Sequence, residues 1–94
     1  MGINMARKPH VLLIDDDQSL RRVIEYSLVE NGFAVRPASS GEEGFSIFQK
    51  ESFDAVITDI TMPGMNGMEV LAKVRQHDDR VPVVVITAYG TIES

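Results

Sequence analysis

Aspartates at the ends of predicted strands are the residues of this chain whose type and spacing suggest chemistry. Asp15 and Asp16 follow the short apolar run His10–Ile14, and Asp59 follows another apolar run more than forty residues later. In an open parallel sheet, ligands bind beyond the carboxyl ends of the strands. If the first and third strands are neighbours, their tips lie about 5 Å apart. We therefore expect the three carboxylates to converge.

Three carboxylates this close repel one another strongly, so the cluster is costly unless a cation enters it. Oxygen ligands without a nearby histidine or thiol favour magnesium, with manganese as the alternative. Calcium fits less well, because no loop has EF-hand spacing. An aspartate is ordinarily an anion at neutral pH, so Asp59 can attack phosphorus without a general base. The metal would neutralise charge on the transferring oxygens, and Thr87 after the fourth apolar run is placed to donate a hydrogen bond to them.

The elements that position these residues alternate between strands and helices. The predicted strands are His10–Ile14, 33–35, 53–58 and 83–86. Helical spacing of Leu20, Val23, Ile24 and Leu28 predicts a first helix with this side turned inward. Ser40 and Glu43 match the capping box that opens a second helix, and a third follows Gly67. Such alternation predicts right-handed crossovers and a doubly wound α/β fold, a parallel sheet with helices on both faces.

Composition limits the classes of function. Ninety-four residues allow one small domain, and the absence of cysteine excludes disulfides and thiolate-bound metals. A net charge of −5 argues against direct contact with nucleic acid. Neither a membrane span nor a secretory signal is evident, which predicts a cytoplasmic protein without a membrane partner.

The two ends of the chain carry separate expectations. Residues 1–7 are interpreted as an N-terminal extension or a cloning remnant, and residues 8–94 as the domain. Residues 91–94 are expected to open a fourth helix, so the domain is interpreted as truncated before a fifth strand and the last helices. The fourth strand would then expose a bare apolar edge, which predicts a homo-oligomer formed by pairing through that edge.

Three motifs in order resemble the receiver domain of bacterial response regulators, the phosphoacceptors of two-component signalling. They are the strand and acids at 11–17, the segment at 59–67 with its Met-Pro-Gly turn, and Val-Ile-Thr-Ala-Tyr at 85–89. The resemblance covers the chain from about His10 to Ser94. It implies a flavodoxin-like sheet of strand order 2-1-3-4. It also implies a magnesium-dependent transfer of a phosphoryl group from a histidine kinase to Asp59, followed by slow hydrolysis and relay to an output domain or partner.

The resemblance also implies a role for each matching residue. Asp16 would be the direct metal ligand and Asp15 would act mainly through water, while Asp59 contributes a carboxylate oxygen and Thr61 a backbone carbonyl. Such a domain is not an enzyme for other substrates, since it catalyses only its own phosphorylation and dephosphorylation.

Other parts of the resemblance concern the end of the domain. Thr87 would bind the phosphoryl oxygen, and Tyr89 would be an aromatic switch that turns inward when Thr87 is drawn to the phosphate. The family's lysine after a fifth strand has no counterpart in this sequence. The amino-acid sequence of residues 87–92 is similar to the corresponding segment in receivers of the nitrogen-regulation class. Longer relatives in that class carry ATPase and DNA-binding domains.

Other interpretations remain open at this point. The acids at 15–17 would serve as a solvated helix cap, Thr87 as an ordinary strand residue, and Tyr89 as a cover over the core. The alternative function is an interaction or dimerisation module that is not phosphorylated and has a degenerate acidic site. A phosphoester hydrolase is disfavoured, because Thr61 stands where a general acid would be needed.

Overall fold

The structure is a computed structural model that describes residues 7–87 and 90–93. Its elements in chain order are β1 (His10–Ile14), α1 (Gln18–Glu30), β2 (Ala34–Ala38), α2 (Gly41–Lys50), β3 (Ala55–Asp59), α3 (Gly67–His77), β4 (Val83–Thr87) and β5 (Gly90–Glu93). Within these ranges, no helix combines the length and apolarity needed to cross a membrane. The predicted N-terminal extension lies outside the described residues except for Arg7.

The first four strands are parallel and lie in the order β2-β1-β3-β4, which confirms the predicted doubly wound fold. From β1 the chain moves outward to the edge strand β2 and then crosses back to β3. The direction of winding therefore reverses between β1 and β3, where open α/β sheets form their ligand crevice. In the register, Ile14 pairs with Thr58. The acids that follow β1 and end β3 thus lie at one edge of the sheet.

The end of the chain differs from the sequence prediction. Residues 91–93, expected to open a helix, belong to β5, which pairs antiparallel with β4 between Val84 and Thr87. The prediction of a bare β4 edge is therefore wrong, and so is the route to self-association based on it. Unpaired backbone groups along a strand edge favour any available strand partner. Thr91 and Ile92 are β-branched and suit that role.

Helices α2 and α3 pack on one face of the sheet and form the main core. Its fully buried members include Leu12, Ile14, Val56, Val70 and Val74. Side chains alternate between faces along a strand, so the buried Val11 and Leu13 of β1 point to the opposite face. Helix α1 lies against β1 and β2, and thus covers that face on one side only.

The inward face predicted for α1 is partly wrong. None of its residues is fully buried, and Leu20 and Val23 are 43% and 65% exposed. Ile24 and Leu28 are half-buried as expected. The reason is the position of the helix, since α1 contacts β1 and the edge strand β2. Only one side of its apolar stripe meets the sheet.

Polar caps set the start of each helix. Asp17 accepts a hydrogen bond from the Leu20 N–H at 3.1 Å, which confirms its predicted capping role. Ser40 accepts from the Glu43 N–H at 3.0 Å, but the Glu43 carboxylate turns to the N–H and hydroxyl of Ser39. Only half of the predicted capping box therefore forms at α2.

Candidate functional site

Two strand ends bring three aspartates together. Because Ile14 pairs with Thr58, Asp15 and Asp59 are neighbours at the tips of β1 and β3. Asp15 is buried, Asp59 is half-buried and Asp16 is exposed. One carboxylate oxygen from each lies within 4.8 Å of the others. The predicted convergence is confirmed as geometry, at the crevice where the strand order reverses.

The turn after β1 is held by hydrogen bonds of the Asp15 side chain and backbone. Its carboxylate accepts the Asp17 N–H at 2.9 Å, and its own N–H donates to the Ala38 carbonyl at 3.1 Å. Its carbonyl accepts a hydrogen bond from the Arg21 guanidinium at 2.7 Å. Arg21 is not among the apolar residues predicted to face inward from α1, and the sequence pattern gave no signal of this contact. The half-buried guanidinium instead ties α1 to the acidic turn.

The pKa of Asp15 is raised above its ordinary value. Burial is the largest cause, and the negative charges of Asp59, Asp16 and Asp17 add to it, whereas the hydrogen bond from the Asp17 N–H opposes it. A raised pKa means that the folded chain resists forming this carboxylate. The cluster therefore suits a ligand that carries positive charge.

We expect Asp15→Asn to stabilise the metal-free protein at neutral pH and to weaken magnesium binding. The stability due to protonated Asp15 is fully present below the unfolded-state pKa and is lost as pH rises through the folded-state pKa. At neutral pH the buried charge is a cost that asparagine removes. Thermal melts in EDTA should show a Tm higher by a few degrees, with a smaller gain for Asp16→Asn at the exposed neighbour. A lower Tm in EDTA for Asp15→Asn would contradict this account.

The other predicted site residues lie around the acids. Thr87 is the last residue of β4, and the residue before it, Ile86, pairs with Asp59. Thr61 is exposed in the loop between β3 and α3, two residues after Asp59. Tyr89, the predicted switch, lies outside the described residues. The structure thus brings Asp15, Asp16 and Asp59 together and places Thr61 and Thr87 on the adjoining loop and strand.

The loop after Asp59 is fixed at several points. The Ile60 N–H donates to the Ile86 carbonyl, and the Gly67 N–H donates to the Ile60 carbonyl, each at 2.9 Å. Met62 is 6% exposed and packs in the core. A Cβ atom on Gly67 would lie 2.7 Å from the Cα of Ile60 and closer still to the carbonyl oxygen of Asp59. The start of α3 therefore packs directly against the backbone of the acidic site.

The donor atoms of this site fit a hard divalent cation. All three clustered side chains offer carboxylate oxygens, and magnesium in proteins is commonly held by one or two carboxylates with several waters. The raised pKa of Asp15 agrees with this, since a cation would offset the repulsion that contributes to it. Asp59 is a half-buried member of this cluster, and aspartate carboxylates are among the protein nucleophiles that can form acyl phosphates.

Known proteins are similar to this chain in both sequence and fold. The family model of the response regulator receiver domain matches residues 11–94. The transcriptional regulatory protein GlrR of Escherichia coli is 38% identical over 89 residues, covering 94% of this chain and 20% of GlrR. The chain therefore spans about a fifth of that relative.

Solved structures agree with this match. The response regulator protein TrrA of Thermotoga maritima, crystallised in complex with Mg(2+)-BeF, superposes with a TM-score of 0.83 at 33% identity over 86% of this chain and 70% of TrrA. The complex of the histidine kinase ThkA with TrrA gives a TM-score of 0.81 at 33% identity, covering 87% of this chain and 71% of the matched one. Sequence, fold and acidic crevice therefore agree, and the chain belongs to the response regulator receiver domain family.

Proposed function

We propose that Asp59 accepts a phosphoryl group from a histidine kinase in a magnesium-dependent step, and that the chain relays this state to an output domain or partner. The observation that carries the proposal is the convergence of Asp15, Asp16 and Asp59 within 4.8 Å at the crevice of the sheet. A carboxylate oxygen of Asp59 forms the new bond to phosphorus while the bond from phosphorus to the kinase histidine breaks. Water later hydrolyses the acyl phosphate, so the chain catalyses only its own modification.

Each acid has a separate proposed role in binding magnesium. Manganese could bind in its place. Asp16, exposed at the rim, would be the direct ligand, and the buried Asp15 would act mainly through water. Asp59 would supply a carboxylate oxygen and Thr61 its backbone carbonyl. When bound, the ion supplies positive charge that offsets the negative charge of the transferring oxygens.

Two residues near the end of the chain complete the proposal. The hydroxyl of Thr87 donates a hydrogen bond to a phosphoryl oxygen, which its place beside the β4 partner of Asp59 supports. Tyr89 is the aromatic switch that follows the movement of Thr87.

The relatives support the choice of partner. TrrA has been solved both with Mg(2+)-BeF and with the histidine kinase ThkA. A cytoplasmic histidine kinase domain is therefore the proposed phosphodonor. We propose that any direct contact with nucleic acid is made by the output domain and not by this domain. Membership of the nitrogen-regulation class is consistent with the similarity to GlrR.

Incubation with acetyl phosphate tests the function directly. With magnesium present, intact-mass spectrometry should show the gain of one phosphoryl group, and EDTA should prevent it. Calorimetric titration with magnesium is the companion measurement, since an interaction module with a degenerate site predicts no binding heat that depends on Asp16. Absence of both the mass gain and the heat would contradict the proposal.

A further inference from the structure

Where the loop between β3 and α3 (residues 60–66) meets the start of α3, three successive backbone N–H groups each have an acceptor. The pairs are Met65 to the Glu42 carboxylate at 3.1 Å, Asn66 to the Glu69 carboxylate at 2.9 Å, and Gly67 to the Ile60 carbonyl at 2.9 Å. Two of these acceptors belong to the loop or to α3. The acceptor for Met65 comes from α2, 23 residues earlier in the chain.

Close packing accompanies this hydrogen bond. A Cβ atom on Gly41, the first residue of α2, would lie 2.5 Å from the carbonyl oxygen of Met65. A Cβ atom on Gly64 would lie 2.5 Å from the Glu42 carboxylate, and Gly64 also has a φ of +72° that disfavours other residues. The start of α2 and the loop thus approach more closely than larger side chains permit. The Glu42 carboxylate lies at that contact.

We propose that Glu42 is a positioning residue for the magnesium site. The loop carries Thr61 between Asp59 and the buried Met62, and the bond from Met65 to Glu42 fixes its far half. The loop is then held in the core at Met62 and against α2 at Met65, which restricts the backbone that follows Thr61, the proposed carbonyl ligand. Glu42 is not one of the clustered acids, and acts through the backbone. The inference rests on the proposed function, because it concerns the same metal site.

Magnesium affinity measured by calorimetry on the whole chain tests this role. Glu42→Ala should weaken binding about tenfold, the lower end of what loss of an outer hydrogen bond costs a metal site. Glu42→Gln should bind nearly as the wild type does, because its amide oxygen can still accept the Met65 N–H. Glu30→Ala is the matched control, since it removes the same charge at the end of α1 remote from the acids. Hydrogen exchange of the Met65 N–H in metal-free protein should be accelerated by Glu42→Ala alone.

The outcomes separate this inference from the function on which it rests. If the wild type binds magnesium and Glu42→Ala binds equally well, the positioning role is overturned while the proposed function stands. If Glu42→Gln is as weak as Glu42→Ala, the effect is one of charge, and the positioning role is again overturned. If the wild type binds no magnesium, the proposed function fails and the inference fails with it.

Discussion

Asp59→Asn is expected to abolish the phosphoryl gain on incubation with acetyl phosphate and magnesium. An amide has nearly the shape of the carboxylate, but it is neutral and a poor nucleophile at phosphorus. Intact-mass spectrometry measures the loss. Since the substitution removes one charge from a crowded acidic cluster, the variant should melt at or above the wild-type temperature in EDTA, which separates loss of chemistry from loss of fold.

Asp79→Asn is the matched control for that loss. Asp79 is exposed in the connection between α3 and β4 and does not belong to the acidic cluster. Its variant should gain the phosphoryl group as the wild type does. If the Asp59→Asn variant still gains a phosphoryl group, another side chain is the acceptor and the assignment of Asp59 is wrong.

Gly67→Ala is expected to destabilise the fold by about 1–3 kcal/mol, the usual cost of overpacking a tight contact. Alanine is ordinarily favoured over glycine within a helix by about 0.5–1 kcal/mol, so the sign depends on the clash. The added Cβ would meet the carbonyl of Asp59 and the Cα of Ile60. These are backbone atoms, so the clash can be relieved only if the end of β3 shifts. Urea unfolding should show a lower midpoint with an unchanged slope.

A neighbouring substitution provides the control for Gly67→Ala. Met68 is the next residue of α3 and is 45% exposed, so Met68→Ala should change the free energy of unfolding by no more than about 0.5 kcal/mol. Gly67→Ala should also weaken magnesium binding, because the displaced backbone belongs to Asp59 itself. A Gly67→Ala variant as stable as the wild type would contradict the tight packing between α3 and β3.

Local patterns in the sequence were sufficient to predict a parallel sheet with aspartates at the ends of two of its strands. Short apolar runs that end in aspartates identify buried parallel strands and their carboxyl ends, and alternation with helices leaves few topologies. The order β2-β1-β3-β4 was implied by the resemblance to receiver domains, and the meeting of Asp15, Asp16 and Asp59 follows once β1 and β3 are neighbours. The cap at Asp17 could also be predicted, because a cap depends on residues within one turn of the helix start.

Tertiary structure decided the features that depend on which other segment of the chain lies next to a given element. Residues 90–93 form β5 because the edge of β4 offers unpaired backbone groups, and a segment of four residues is too short for its own pattern to specify a helix or a strand. The exposure of Leu20 and Val23 depends on where α1 lies over the sheet. Periodicity predicts which side of a helix is apolar, but it does not predict how much of that side the sheet covers.

Single contacts near the acidic site also separate what the sequence determined from what the fold decided. The sequence by itself placed the aspartates at the strand ends, since strand period and strand end are properties of a few consecutive residues. The bonds from Arg21 to the Asp15 carbonyl and from Met65 to Glu42 appear only in the folded chain. Both join a side chain to a backbone group. Every residue has a backbone carbonyl and all but proline have an N–H, so only the folded geometry selects which of these groups a side chain meets.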